Sequence, residues 1–138
     1  MHHRAVQIMN WDPAKEPSPD FVENVLRIVD AIPAGFVMTY GDVAAEVKSD
    51  VDLADADDAY GAWLVGQVMA RFGSDVPWWR VIRASGHPPK YHEAEAWALY
   101  VAEQTPLTGP HENYRIDLAR ARFRPGADAS RQASLGLF

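Results

Sequence analysis

Ile32-Pro33-Ala34-Gly35-Phe36-Val37-Met38-Thr39-Tyr40-Gly41-Asp42-Val43-Ala44 divides into three pieces of different character along its length. Ile32-Pro33-Ala34-Gly35 reads as a turn, because it pairs the two residues that most often interrupt regular structure. Phe36-Val37-Met38 is apolar and suits a short extended piece. Thr39 then caps a helix running through Val43, Ala44 and Val47.

Outward from this stretch the chain is mostly helical. Residues 1–18 read as a loose arm, with Pro13 and Pro17 among polar neighbours. Ser18-Pro19-Asp20 is a helix start: a capping hydroxyl, a proline in the first turn, and a carboxylate at the positive end of the helix dipole. Phe21, Val22, Val25, Leu26, Ile28 and Val29 follow at helical spacing, and that helix ends before Pro33. Downstream, an acidic loop at residues 50–58 ends as the cap of a third helix, spanning roughly 58–72. Ala62, Val65, Met69 and Phe72 share one face of it and are expected to be its core stripe. Pro77 stops helical structure, and Trp78 to Ile82 reads as an extended segment. Ala84 to Pro89 is a turn-rich loop, a fourth helix covers roughly His92 to Gln104, and residues 105–114 read as a loop before an arginine-rich tail. The expected organisation is a single domain with an arm at 1–18, a core at 19–104 and a C-terminal extension at 105–138.

Composition narrows the function. A chain of 138 residues, 48% hydrophobic, can bury one core. The absence of cysteine excludes disulfides, thiolate metal sites and a cysteine nucleophile. No stretch approaches the length of a membrane span and the N-terminus carries no cleavage-site pattern, so a cytoplasmic protein without a membrane partner is expected. The net charge of −6 is unfavourable for a nucleic-acid binder. The charge is uneven, however: Arg115, Arg120, Arg122, Arg124 and Arg131 face only Asp117 and Asp128 within 115–131, whereas Asp50, Asp52, Asp55, Asp57 and Asp58 cluster at 50–58.

Familiar catalytic patterns are missing. His92-Glu93-Ala94-Glu95 lacks the second histidine of a zinc-protease helix, and His87 and His111 have no suitably spaced partners. No serine lies in a nucleophile elbow and no glycine-rich phosphate loop is present, so neither a metal nor another cofactor is expected. Two aromatic features are unusual. Tyr60, Trp63 and Gln67 lie opposite the expected core stripe of the third helix, which exposes them either to a covering segment or to a binding partner. Trp78 and Trp79 are adjacent, and in an extended chain they point to opposite faces. Beside Arg80, a flat aromatic can stack a planar ligand such as a base.

In order and spacing, three motifs resemble the DNA-binding domain of the 6-O-alkylguanine-DNA alkyltransferases: Ile32 to Ala44, Val65-Gly66 at the end of a recognition helix, and Pro77-Trp78-Trp79-Arg80-Val81-Ile82. Gly86 and Tyr91 are similar to the loop that follows. Trp78 falls at the reactive cysteine, a replacement that is the mark of the alkyltransferase-like proteins, and Trp79 falls at the neighbouring histidine. The resemblance covers roughly residues 20–104. It implies a winged-helix-like helix-turn-helix domain, mainly α with at most a short β-hairpin. It also implies a non-enzymatic sensor that binds double-stranded DNA containing alkylated guanine, flips the nucleotide and flags it for nucleotide excision repair proteins. By resemblance, Trp78, Val81 and Tyr91 line the lesion pocket. Tyr40, which rotates the phosphate, joins Gly41, Tyr60, Trp63, Gln67 and Arg80 on the DNA side, with Arg80 either holding the loop or contacting the backbone.

The chain departs from the family at definite places. Trp63 replaces an arginine that fills the gap left by the flipped base; the tryptophan is either a stacking wedge or a sign that flipping has been lost. Asp55-Ala56-Asp57-Asp58 puts carboxylates where small neutral residues are usual, and these oppose phosphate binding. The asparagine after the recognition helix has no counterpart in Arg71-Phe72-Gly73-Ser74-Asp75. These departures motivate the alternative of a protein-interaction module on the same fold that no longer binds DNA.

Overall fold

The computed structural model describes residues 17–47 and 58–126. The arm before residue 17, the acidic aspartates at 50–57 and the tail from residue 127, Arg131 included, lie outside the described residues. Helix α1, Pro19–Asp30, begins where the sequence places it: the Ser18 hydroxyl accepts the Phe21 N–H at 3.1 Å, and Phe21, Val25 and Val29 are buried along one face. Strand β1, Met38–Thr39, runs directly into helix α2, Tyr40–Glu46. The cap between them is reciprocal. Asp42 N–H donates to the Thr39 hydroxyl at 3.0 Å, and Thr39 N–H donates to the Asp42 carboxylate at 3.1 Å.

Helix α3, Asp58–Phe72, corrects the expected core stripe. Gly61, Leu64, Val65 and Val68 are buried, whereas Ala62 and Met69 are half-buried and Phe72 is 43% exposed. This helix is apolar nearly all round, so its periodicity leaves the phase open; packing against α1 and α2 decides it.

The segment after Pro77 also differs from its reading. Trp78–Arg80 is one turn of 3-10 helix, closed by Arg80 N–H on the Pro77 carbonyl at 3.0 Å, and only Val81–Ile82, strand β2, is extended. The two indoles therefore do not alternate across a strand. They meet edge to face, with centroids 5.6 Å apart and planes at 88°.

Strands β1 and β2 pair in parallel, Met38 with Val81 and Thr39 with Ile82, and so join the two segments that characterise the sequence. Alternation along this pair divides the interior. Met38 and Val81 enter the core under α1, α2 and α3. Val37 and Ile82 enter a second core with Ala96, Tyr100, Tyr114, Ile116 and Ala121. Helix α4, Glu93–Glu103, supplies Ala96 and Tyr100.

The stretch read as a loop at 105–114 contains strand β3, Leu107–Thr108, and a 3-10 turn at His111–Asn113; β3 pairs antiparallel with β4, Arg115–Ile116, as a short hairpin. A single turn, α5, Leu118–Ala121, follows. The chain then lies beside β1: Val37 N–H donates to Ala121 and Phe123 N–H to Val37, at 2.9 and 2.8 Å. The domain is mainly α, with two small sheets.

Candidate nucleic-acid interface

The turn carrying Trp78 is fixed chiefly from α4. Glu103 accepts hydrogen bonds from the Trp79 indole N–H at 3.1 Å, from Arg80 Nε at 3.1 Å and from Gly35 N–H at 3.2 Å, and it pairs with the far end of the Arg80 guanidinium. Arg80 also donates to the Ile32 carbonyl at 2.8 Å. The buried Tyr100 hydroxyl donates to the Trp79 carbonyl at 2.6 Å; burial, with Tyr114, Tyr40 and Glu103 nearby, pushes this phenol well above its ordinary range and keeps it a donor. Burial alone would raise the Glu103 carboxyl, but the bonds from Arg80 and Gly35, the Arg80 charge and the Trp79 indole together hold it below its usual value. Gly35 has φ +88°, and an added Cβ would lie 3.1 Å from the Glu103 carbonyl, so glycine is what lets the turn at 32–35 close against the end of α4.

In front of this turn lies an open cavity of about 540 Å³, walled by Trp78, Tyr40, Gly66, Met69, Tyr91 and His92 among others. Trp78 is half-buried and lies 5.5 Å from the His92 ring. Tyr91 faces the cavity from the loop, 83% exposed, with φ +73° and the Lys90 ammonium 5.5 Å from its ring centre. A left-handed tyrosine is disfavoured by about 1 kcal/mol, the kind of strain that gathers at binding sites. Tyr40 is neutral: burial raises its phenol above the usual value, opposed only in part by the charge of Arg83.

A groove of about 450 Å³ adjoins this cavity, between the start of α2 and the outer face of α3. Thr39, Tyr40, Gly41, Trp63, Gly66 and Gln67 line it. Tyr40 and Gly66 belong to both hollows and form the partition between them. Gly66 has no internal reason to be glycine, since an added Cβ would meet nothing within 4 Å.

The structure thus brings together Trp78, Tyr91, Tyr40, Gly41, Trp63 and Gln67. Tyr60 stands behind Trp63, with ring centroids 5.8 Å apart, and is half-buried against the core. Two residues do not take the places expected of them. Val81, the first residue of β2, is fully buried and off the cavity wall, because the strand directs it inward opposite Met38. Arg80 turns inward to Glu103 and Ile32, so of its two suggested roles the geometry matches holding the loop. Within the tail, Arg122 is tied to Asp42 at 2.9 Å. Sequence reasoning missed Glu103 and Tyr100, which position the site without lining the cavity. Among the described residues, no group of three or more histidine, aspartate and glutamate side chains is placed to hold a metal.

The model of a known family, the 6-O-methylguanine DNA methyltransferase DNA-binding domain, matches residues 20–105. Two curated relatives, from Escherichia coli and Shigella flexneri, are each described as a DNA base-flipping protein. Each is 42% identical over 73 residues, which make up 51% of this chain and 50% of the relative. The chain therefore spans about half the length of the curated relatives it matches. Among solved structures, S. pombe Atl1 in complex with damaged DNA containing O6-carboxymethylguanine is 27% identical with a TM-score of 0.62, covering 79% of this chain and 99% of that one. A second complex, S. pombe ATL with DNA, gives the same figures.

Proposed function

The chain belongs to the family of the 6-O-methylguanine DNA methyltransferase DNA-binding domain, and from that premise we propose that it recognises alkylated guanine in duplex DNA by flipping the damaged nucleotide into the Trp78 cavity, and that it leaves the alkyl group in place. The observation that carries this reading is the shared partition. An aromatic-walled hollow large enough for a base lies directly behind Tyr40 and Gly66, and a groove edged by exposed Trp63 lies in front. Trp78 and Tyr91 bracket the extruded base, while Tyr40 occupies the path by which it enters. Extrusion costs a few kcal/mol, less for a base that pairs poorly, and stacking on aromatic walls offsets it. Alkyl transfer needs a thiolate, and the sequence contains no cysteine. Since the lesion survives binding, nucleotide excision repair proteins are the proposed recipients of the complex.

The test is a titration of tryptophan fluorescence with a short duplex holding one 6-O-methylguanine and with its undamaged counterpart. Tighter binding of the damaged duplex is expected. Equal binding, or none at low salt, would favour the protein-interaction module instead, for which exposed Trp63 and Phe72 on an acidic chain are the specific support.

Two further results are expected. Gly66→Ala should stabilise the free protein by about 0.5–1 kcal/mol, because glycine within a helix is unfavourable and no clash opposes the methyl. The same methyl should weaken binding to damaged DNA about tenfold by blocking close approach at the partition, a loss of about 1.4 kcal/mol. Thermal melts and titrations of the one variant check both signs. Among the described residues the cations bordering the two hollows are Arg83 and Lys90, and with these two on phosphates the logarithm of affinity should fall against the logarithm of salt concentration with a slope of about −2. Titrations at several salt concentrations measure it.

A further inference from the structure

Trp63 lies on the outer face of α3, 53% exposed, at the lip of the groove. Its ring is tilted by 31° to that of Tyr60, which packs on the core and so backs the indole with a fixed surface. Gly66 is three residues further along, on the same side of the helix. The indole thus stands about 4.5 Å along the axis from the partition where groove and cavity meet. Being exposed, it contributes little to the core beneath.

We propose that Trp63 makes binding indifferent to which pyrimidine stands opposite the damaged base, an inference that rests on the base-flipping reading above. A nucleotide turned out of a duplex leaves a gap in the stack and an unpaired partner. Whatever fills the gap decides whether that partner is read. Cytosine presents an amino donor where thymine presents a carbonyl acceptor, so a filler that hydrogen-bonds to base edges tells them apart. An indole fills by stacking, which every base accepts through its π face. Thr39, Tyr40, Arg83 and Gln67 are the polar side chains that line the groove with it, and the nearest along α3 is Gln67. Its amide carries both donor and acceptor, and it matches either base by turning over. Arg83 also lines the groove, with its Nε donating to the Pro88 carbonyl at 2.9 Å and Glu93 at 3.7 Å from its guanidinium.

The experiment measures dissociation constants by anisotropy for three end-labelled duplexes: 6-O-methylguanine opposite cytosine, 6-O-methylguanine opposite thymine, and undamaged guanine opposite cytosine. The wild type, Trp63→Phe and Trp63→Ala are compared. The wild type should bind the two damaged duplexes within about threefold of each other and both more tightly than the control. Trp63→Phe keeps a stacking face and should preserve that equality, whereas Trp63→Ala should weaken both by about tenfold, as expected for one lost stack. A tenfold preference for either opposite base, with the preference for damage intact, overturns the indifference and leaves base flipping standing. Unchanged affinity in Trp63→Ala overturns Trp63 as the filler. Equal binding of damaged and undamaged duplexes overturns the base-flipping reading itself.

Discussion

Glu103→Gln should lower folding stability by about 3 kcal/mol, and the melting temperature by about 10 °C for a domain of this size. The Glu103 carboxylate neutralises Arg80 where the two side chains are only 14% and 16% exposed. It also accepts from the Trp79 indole and the Gly35 N–H. Every group aimed at it is a donor. A glutamine amide keeps one accepting oxygen but turns an NH₂ towards donors, and it leaves the guanidinium without a counter-charge. Breaking one side of such a pair is far more damaging than the pair's net contribution to stability. Differential scanning calorimetry measures the change; a loss under 1 kcal/mol would mean that water replaces the carboxylate without difficulty.

The same residue gives a pH signature whose sign is fixed. The folded state holds the Glu103 carboxyl below its ordinary value, so the folded protein resists protonation more than the unfolded chain does. Its contribution is complete above the ordinary carboxylate pKa of about 4.3 and is lost as pH falls below that value towards the folded one. The stability difference between wild type and Glu103→Gln should therefore shrink on acidification from about pH 5 and stay constant above it.

Glu103 also shows why part of the site could not be read from the sequence. As the last residue of α4 it places a carboxylate at the negative end of the helix dipole, where a base is preferred. That local disadvantage is a signal of a distant partner. Periodicity within α4 could not say that the partner was Arg80, 23 residues earlier. The caps at Ser18 and Thr39 were legible because capping is decided within four residues. The parallel pairing of β1 with β2 was not, because two-residue strands leave no alternation to detect. The phase of α3 was hidden for the opposite reason: too many of its faces are apolar, so tertiary packing makes the choice.

Around the cavity, aromatic positions were easier to identify than their orientation. Trp78 and Trp63 stood out by residue type and position, Tyr40 and Tyr91 by resemblance to the family, and the four line the two hollows. Val81 did not, because treating Trp78 to Ile82 as one extended segment gave no warning of the 3-10 turn, and side-chain direction depends on where that turn ends. Of the two roles suggested for Arg80, contact with the DNA backbone had the same weakness. A guanidinium between two tryptophans and a buried strand is more stable turned inward to a carboxylate than left partly desolvated at the rim.

Trp78→Ala should abolish most of the preference for damage, weakening binding to a 6-O-methylguanine duplex by 10- to 100-fold, about 1–3 kcal/mol, and leaving the weak affinity for undamaged DNA nearly unchanged. The indole forms the inner wall of the cavity, edge-on to Trp79 and beside His92. It is half-buried at the border of the second core, so truncation also loses some packing, and the ratio between the two duplexes is the quantity to measure. A structural defect alone would weaken both equally; loss of a wall that only an extruded base touches weakens one. The same position tests the proposal that the alkyl group is left in place. Trp78→Cys should bind without transferring, since the adjacent Trp79 offers an N–H donor to Glu103 and no basic nitrogen to take a thiol proton. Adding Trp79→His would put an imidazole where Glu103 can accept one ring N–H, orienting the other nitrogen as a base. Intact-protein mass spectrometry after incubation with damaged DNA should then find one added methyl group in the double variant and none in the single one. Transfer by Trp78→Cys alone would show that the missing thiol was the sole barrier, and that the pairing of Trp79 with Glu103 serves only to hold the turn.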